Sequence, residues 1–186
     1  MKKLSLYKYR SKPLHWWLST PLYAKRLIVA HLGKKVASRG AEGNVDQIVF
    51  DEFFKDQERG VFVEVGAARP DFLSIGALFR SRGWRVLSIE PNPFFCEMHR
   101  AKGHEIYQYA CGTHDENDVE FCIVHSNDKS EISNESYSSL SIKPGYLAHE
   151  PDKTLNVTKI RVNLRRLNTI LHDHAPDIAR IDCISI

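Results

Sequence analysis

The chain has 186 residues, 42% of them hydrophobic and 26% charged, with a net charge of +3. These are ordinary values for a soluble globular protein and give enough chain for one domain of about 100–200 residues. Cys96, Cys111, Cys122 and Cys183 form neither C-x-x-C pairs nor the framework of a small secreted domain, which points to a reduced, cytoplasmic setting.

The modest net charge hides a divided molecule. Residues 1–40 contain ten Lys or Arg and no Asp or Glu, so they carry +10, while the rest of the chain carries −7. Tyr7, Tyr9, Trp16, Trp17 and Tyr23 are interleaved with these charges. Such a segment reads as a solvated basic tail, as a peripheral contact with an anionic membrane surface, or as a nucleic-acid-binding arm, the last being the least favoured. Thr20-Pro21 is a helix start, and Gly40 is a plausible stop for the helix that follows. Pro13 to Ala24, the longest stretch of residues 1–40 free of Lys and Arg, is far shorter than the ~20 apolar residues of a membrane span. The apolar core Leu27–Ala30 is also too short for a signal peptide. We therefore divide the chain into a basic aromatic extension over residues 1–43 and a domain over 44–186.

Val45, Ile48, Val49 and Phe53 lie near helical spacing, so residues 44–57 are expected to form a helix leading into the first strand. Its polar residues Asp46 and Gln47 either pack against the sheet side or touch a ligand. Val61 to Val65 is a buried-strand pattern with one acid, Glu64, and runs into a tight Gly66-Ala67-Ala68 turn. A short apolar helix should follow, closing at Arg82-Gly83. A second strand, Trp84 to Ile89, ends on Glu90 and the turn Pro91-Asn92-Pro93. Strand, glycine turn, helix and strand with an acid at the carboxyl end form half of a nucleoside-cofactor site, because doubly wound sheets bind ligands at that edge. Glu90 lies 24 positions after Gly66, close to the roughly 20 typical of a ribose-binding acid. A dinucleotide site needs further glycines for its pyrophosphate. Here Ala68, Pro70 and Asp71 occupy the loop, and Asp71 would repel phosphate. S-adenosylmethionine, a phosphate-free sulfonium cation, suits an acid-flanked loop better.

Asn92-Pro93 caps a helix expected to run through Lys102 and stop at Gly103. His104 to Ala110 reads as the third strand, Asp115 to Asp118 as a turn, and Val119 to His125 as a half-buried strand. Ser126 to Ser141 is serine-rich and aperiodic, an acceptor-side lid or a disordered loop. Val157 to Val162 alternates as a strand, and Leu164 to His172 has helical spacing. His172-Asp173-His174 would suit a metal only on a strand; on a helix the two rings diverge, and surface histidines at a helix end are the better account. Ile181 to Ile186 reads as another sheet strand, with Asp182 at its start in a structural role.

FVEVGAARPDFLSIGALFRSRGW followed by SIEPNP resembles the FkbM-type family of S-adenosylmethionine-dependent methyltransferases. NVDQIVFDEFF upstream, YACGTHDENDVEF downstream and VNLRRLNTILHDHAPDIARIDCISI at the end agree, so the resemblance covers roughly Asn44 to Ile186. It implies an α/β, Rossmann-like methyltransferase fold with a mostly parallel sheet, flanking helices and methyl transfer to a hydroxyl oxygen. Glu64, Gly66, Ala67 and Ala68 then match the first cofactor motif, Glu90 the ribose acid with Asn92 beside it, and Ala110 and Cys111 the adenine end of the third strand. Cys111 is expected as a packed side chain, not a nucleophile. Ser138, Ser139 and Leu140 resemble a serine-rich spot seen in the family at this place and are candidates for cofactor-side contacts. In the family the last strand runs on into an Asp-Val-Glu-Gly-like segment; with the chain ending at Ile186, the domain is expected to be truncated at its C-terminus and that acidic site falls on no residue here.

The resemblance implies a methyltransferase acting on a hydroxyl of a sugar, lipid or small natural product, with S-adenosylmethionine as cofactor. A non-catalytic cofactor-binding remnant and a membrane- or nucleic-acid-binding protein are the alternatives. No catalytic base is identified. Asp71 and Ser74 border the expected pocket mouth and are the best candidates, although Ser74 could simply cap the following helix.

Overall fold

The structure is a computed structural model and describes residues 40–125, 135, 137–142 and 156–186. Residues 1–39 of the basic aromatic extension, with its expected helix, and most of the serine-rich stretch lie outside these residues. Among the described residues no helix is long and apolar enough to cross a membrane.

The fold is built on β1 (Val61–Val65), whose β-branched and aromatic residues suit a strand buried on both faces. It pairs in parallel with β2 (Arg85–Ile89), Glu64 lying opposite Ser88. β2 pairs in parallel with β3 (Glu105–Tyr107), and β1 pairs on its other side with β7 (Cys183–Ser185). The order β3-β2-β1-β7 means the chain winds outward from β1 and then crosses back past it. The crossing makes β1/β7 the topological switch point, where open α/β sheets place their ligands.

Alternation along β1 gives each face its own core. Phe62 and Val86 pack with Phe50, Phe79 and Trp84 beneath α1 (Val45–Val49, continued by a π-helical turn Phe50–Phe54) and α2 (Gly76–Ser81). Phe79 is fully buried, stacked on Phe62 at 4.3 Å between ring centroids and set edge-on to Trp84 at 5.1 Å. On the other face Val63, Leu87 and Ile89 meet Ile170 and Ala175 at α4 (Leu167–His174). α3 (Pro93–Ala101) joins β2 to β3. The result is the mostly parallel α/β architecture expected.

A smaller sheet of order β4-β6-β5 stands beside it, made of β4 (Ala110–Cys111), β5 (Glu116–His125) and β6 (Asn156–Arg165). Here the structure corrects several boundaries. The third strand does not run from His104 to Ala110. It stops at Tyr107, the Tyr109 N–H turns back onto the Tyr107 carbonyl, and Ala110–Cys111 pair in parallel with β6. The expected turn Asp115–Asp118 is largely strand: Glu116 already pairs with Leu164, and a bulge follows at Asp118 with φ +57°. Asn163 Oδ1 accepts the Asp118 N–H and Arg161 donates to the Asp118 carbonyl, so β6 satisfies the bulge. Leu164 belongs to β6 and not to the next helix, its side chain buried with Val162, Phe121 and Ile123. Asp182 is structural as expected: its carboxylate accepts the Val61 N–H at 2.9 Å, tying the start of β7 to β1.

Phe79 joins both flanking helices to the sheet. Phe79→Ala is expected to cost about 3–5 kcal/mol, measured as a lower urea midpoint with an unchanged slope.

Candidate functional site

The carboxyl edge of β1 is a backbone turn held from three sides. Gly66 sits at φ +75°, a left-handed conformation that glycine adopts freely, and a Cβ there would meet nothing within 4 Å. The N–H groups of Gly66 and Ala67 donate to the Ile89 carbonyl at 2.9 and 3.2 Å, fastening the turn to the end of β2. Ala68 is also left-handed, at φ +45°, although it carries a Cβ. That conformation costs on the order of 1–2 kcal/mol, so it persists only because its neighbours enforce it.

Glu90 is one of those neighbours. Its Oε2 accepts the Ala68 N–H at 2.9 Å and its Oε1 accepts the Asn92 N–H at 2.8 Å. Asn92 Oδ1 in turn accepts the Phe94 N–H at 3.0 Å, capping α3 with Pro93 in the first turn, as its sequence predicts. Both side chains are about 95% buried, at 5% exposure each. Burial pushes the Glu90 carboxyl up, opposed by the two N–H donors and reinforced by the charge of Glu64. A carboxylate has about four lone-pair positions. Two are spent on the backbone, which leaves acceptors for a pair of hydroxyls.

His99 is the other neighbour, and sequence reasoning missed it. It is fully buried on α3, with Nε2 3.1 Å from the Ala68 carbonyl oxygen and Nδ1 3.2 Å from His104 Nδ1. A carbonyl only accepts, so Nε2 carries the proton and donates, and His104 Nδ1–H donates to His99 Nδ1. Burial, followed by the Arg80 charge, holds His99 down at about 4. His99 is therefore neutral at physiological pH.

Glu64 faces the α2 side of the sheet. Its Oε1 accepts the Gly76 N–H at 2.9 Å, so it caps the short helix α2 from the neighbouring strand. A Cβ at Gly76 would come within 2.5 Å of Glu64 Oε2, so any larger residue there would displace the Glu64 carboxylate. Arg80 lies 3.4 Å from Glu64 Oε2 and also donates to Ser88 Oγ. Ser74 is not at a pocket mouth and does not cap α2: it is buried and donates to Glu64 Oε1 at 3.4 Å. Asp71 is exposed and paired with Lys102 at 2.8 Å.

The other sequence candidates fall elsewhere. Ala110 and Cys111 do not end the third strand but form β4, with Ala110 buried against Val162 and Leu164 of the smaller sheet and Cys111 packed against the Val63, Leu87 and Ile89 core. Burial raises the Cys111 thiol, in keeping with a packing role. Asp46 is buried next to Gly40, and Gln47 donates to Asp51 at 2.7 Å on the exposed side of α1. Ser139 exchanges two backbone bonds with Cys122, and Ser138 Oγ accepts the Val124 N–H at 3.0 Å, so both line the edge of β5. Leu140 is exposed beside them. His172 pairs with Asp173 and His174 with Tyr109, and among the described residues no group of three His, Cys, Asp or Glu could hold a metal.

One contact brings the segment after β5 to the glycine turn. Arg69, next to Ala68, makes a bidentate pair with Glu135 at 2.6 and 2.7 Å and lies over the rings of Phe94 and Phe95 at the start of α3. Neither Arg69 nor Glu135 carried a signal in the sequence, because each is legible only through the other.

A family model described as "Methyltransferase FkbM domain" matches residues 64–186, well over half of the chain. No curated protein and no solved structure matches.

A histidine held neutral by burial destabilises the fold as acid charges the unfolded chain. The His99 value is lowered on folding, so its contribution is complete above its ordinary value of 6.5 and is lost as pH falls toward about 4. Glu90, raised on folding, acts in the opposite sense. Urea midpoints measured from pH 7 to 4 should therefore fall more steeply for the wild type than for His99→Gln.

Proposed function

Because the chain belongs to the FkbM methyltransferase-domain family, we propose that it uses S-adenosylmethionine to methylate a hydroxyl oxygen on a sugar, lipid or small natural product. The observation that carries this reading is the Glu90 carboxylate. It stands at the carboxyl end of β2, bonded to the Ala68 N–H of the turn after β1, with acceptor capacity to spare.

The residues present fit that cofactor. Open space over Gly66 lets a ligand approach the backbone closely. Glu90 would take the ribose hydroxyls, with Asn92 shaping the turn beside it and Gly66, Ala67 and Ala68 forming the floor. Glu64 would act from beneath, through its charge and through the helix it caps, since its oxygens already have partners in α2 and Ser88. Asp71 and the two buried acids suit a cation far better than a pyrophosphate, which disfavours a dinucleotide. When bound, the sulfonium supplies an electrophilic methyl group that a hydroxyl oxygen can take in line. The chain's part is to hold both reactants at reacting distance, a positional effect that supplies much of the rate. Removal of the acceptor proton needs a base. Ser74, buried against Glu64, is withdrawn from that role, and Asp71 would first have to leave Lys102.

Calorimetric titration with S-adenosylmethionine and S-adenosylhomocysteine tests the reading. We expect saturable binding by the wild type, and affinity weaker by about tenfold or more in Glu90→Gln, the loss of charge-assisted hydrogen bonds. A folded wild type that binds neither would refute the cofactor; equal affinity in the variant would refute the role of Glu90.

A second reading concerns the basic end, where +10 over residues 1–40 favours a peripheral contact with an anionic membrane through that segment. Nucleic acid is the weaker partner, given the interfacial pairing of tryptophan and tyrosine with lysine. Full-length protein should co-sediment with vesicles containing anionic lipid and be released by about 0.5 M salt, beyond the range of surface electrostatics. Replacing Lys2, Lys3, Lys8, Arg10 and Lys12 with glutamine should reduce the bound fraction. Equal binding to neutral vesicles would exclude the electrostatic contact.

A further inference from the structure

We infer that His99 is a positioning residue of the cofactor turn: its Nε2–H holds the Ala68 carbonyl while Glu90 holds the Ala68 N–H, and together they fix the left-handed peptide that a ligand would meet. The inference rests on the reading of this turn as the cofactor's seat.

The geometry is specific. Ala68 is left-handed at φ +45° without being glycine, and both of its backbone polar groups are bonded to buried side chains. Those side chains come from the two ends of one segment, Glu90 just before α3 and His99 in its last turn. The end of β2 and the helix after it therefore grip the turn after β1 at two points. The Glu90 bond fixes the peptide before Ala68 and the His99 bond fixes the one after it. Rotating the latter would leave His99 Nε2–H buried without an acceptor, a penalty larger than the worth of one satisfied bond.

The carbonyl acceptor places the proton of His99 on Nε2, which leaves Nδ1 as an acceptor. His104 Nδ1, half-buried just beyond α3 and 3.2 Å away, is positioned to meet it as a donor. Two separate contacts therefore meet at Ala68: the His104–His99 pair reaches its carbonyl, and its N–H reaches Glu90. A His99 present only for bulk would need none of these alignments.

The test uses the full chain with S-adenosylhomocysteine as the probe, comparing His99→Leu, which keeps volume without donors, with His99→Gln, whose amide nitrogen stands where Nε2 stands. We expect roughly tenfold weaker binding for His99→Leu, about the worth of one hydrogen bond, and recovery to within about threefold for His99→Gln. In the free protein, hydrogen exchange of the Ala68 amide should quicken in His99→Leu and stay near wild type in His99→Gln. Should His99→Leu fail to fold, His99→Asn, too short to reach the carbonyl, takes its place. Equal binding by all folded variants, or equal weakening of the leucine and glutamine forms, overturns the inference. If the wild type binds no cofactor, the functional reading falls by itself, and the exchange pattern alone decides whether His99 holds the turn.

Discussion

The Glu90 carboxylate joins the turn after β1 to a stretch 22 positions further along, where β2 ends and α3 begins. It does so with two backbone N–H bonds at 2.9 and 2.8 Å in a site almost closed to water. A buried carboxylate is expensive unless its lone pairs are met. Meeting them here ties the local backbone together: the peptide before Ala68 turns its N–H to Glu90 with Ala68 left-handed, and the chain reverses at Pro91-Asn92 to present another donor. Asn92 then opens a helix with its own side chain as the cap. One side-chain requirement thus sets the shape of the edge on which ligands of this fold class bind.

A second buried acid does related work one strand over. Glu64 lies opposite Ser88 in the parallel register, and its carboxylate is met by the Gly76 N–H, Ser74, Ser88 and Arg80. α2 is only six residues long and has no side-chain cap of its own. A helix that short gains little from propensity, so its place depends on the packing of Phe79 and on the acid beneath its first N–H. Arg80 keeps two buried nitrogens without a partner, and burial lowers its pKa. The Glu64–Arg80 pair is therefore better understood as orienting α2 than as a large source of stability. The two acids divide the labour: Glu64 seats the helix behind the turn, and Glu90 seats the turn itself.

How much of this was legible depended on how local each signal was. Gly66, Glu90 and Asn92-Pro93 declare themselves within a few residues, as a turn, a strand-ending acid and a helix cap, and the structure places all of them as read. Residues whose roles depend on distant partners were misplaced or missed. Leu164 fits the helical spacing of Leu167, Ile170 and Leu171, but it also fits the alternation of Val162 and Leu164; pairing with β4 and β5 decides for the strand. The same pairing takes Ala110 and Cys111 out of the third strand, which a single-sequence pattern could not foresee. Ser74 looked like a helix cap because the true cap, Glu64, comes from another strand. His99 reads as one polar residue on an amphipathic helix until the fold sets it against Ala68, 31 positions earlier.

The glycine turn and the segment after β5 are held in different ways. The turn, both strand ends and the α3 cap are fixed by short-range bonds to buried groups, a preorganisation that lowers the cost of binding a ligand there. The segment after β5 reaches the same edge through the partly exposed pair Arg69–Glu135, with side chains 22% and 17% exposed, and through Ser138 and Ser139 along the rim of β5. An ion pair of that kind is worth little by itself. Its value is geometric, since the bidentate guanidinium, lying over the rings of Phe94 and Phe95, brings Glu135 to the end of the turn. On the proposed reading, Glu90 and His99 would hold the floor under the donor from buried positions, while the segment after β5 meets the same edge through a partly exposed ion pair.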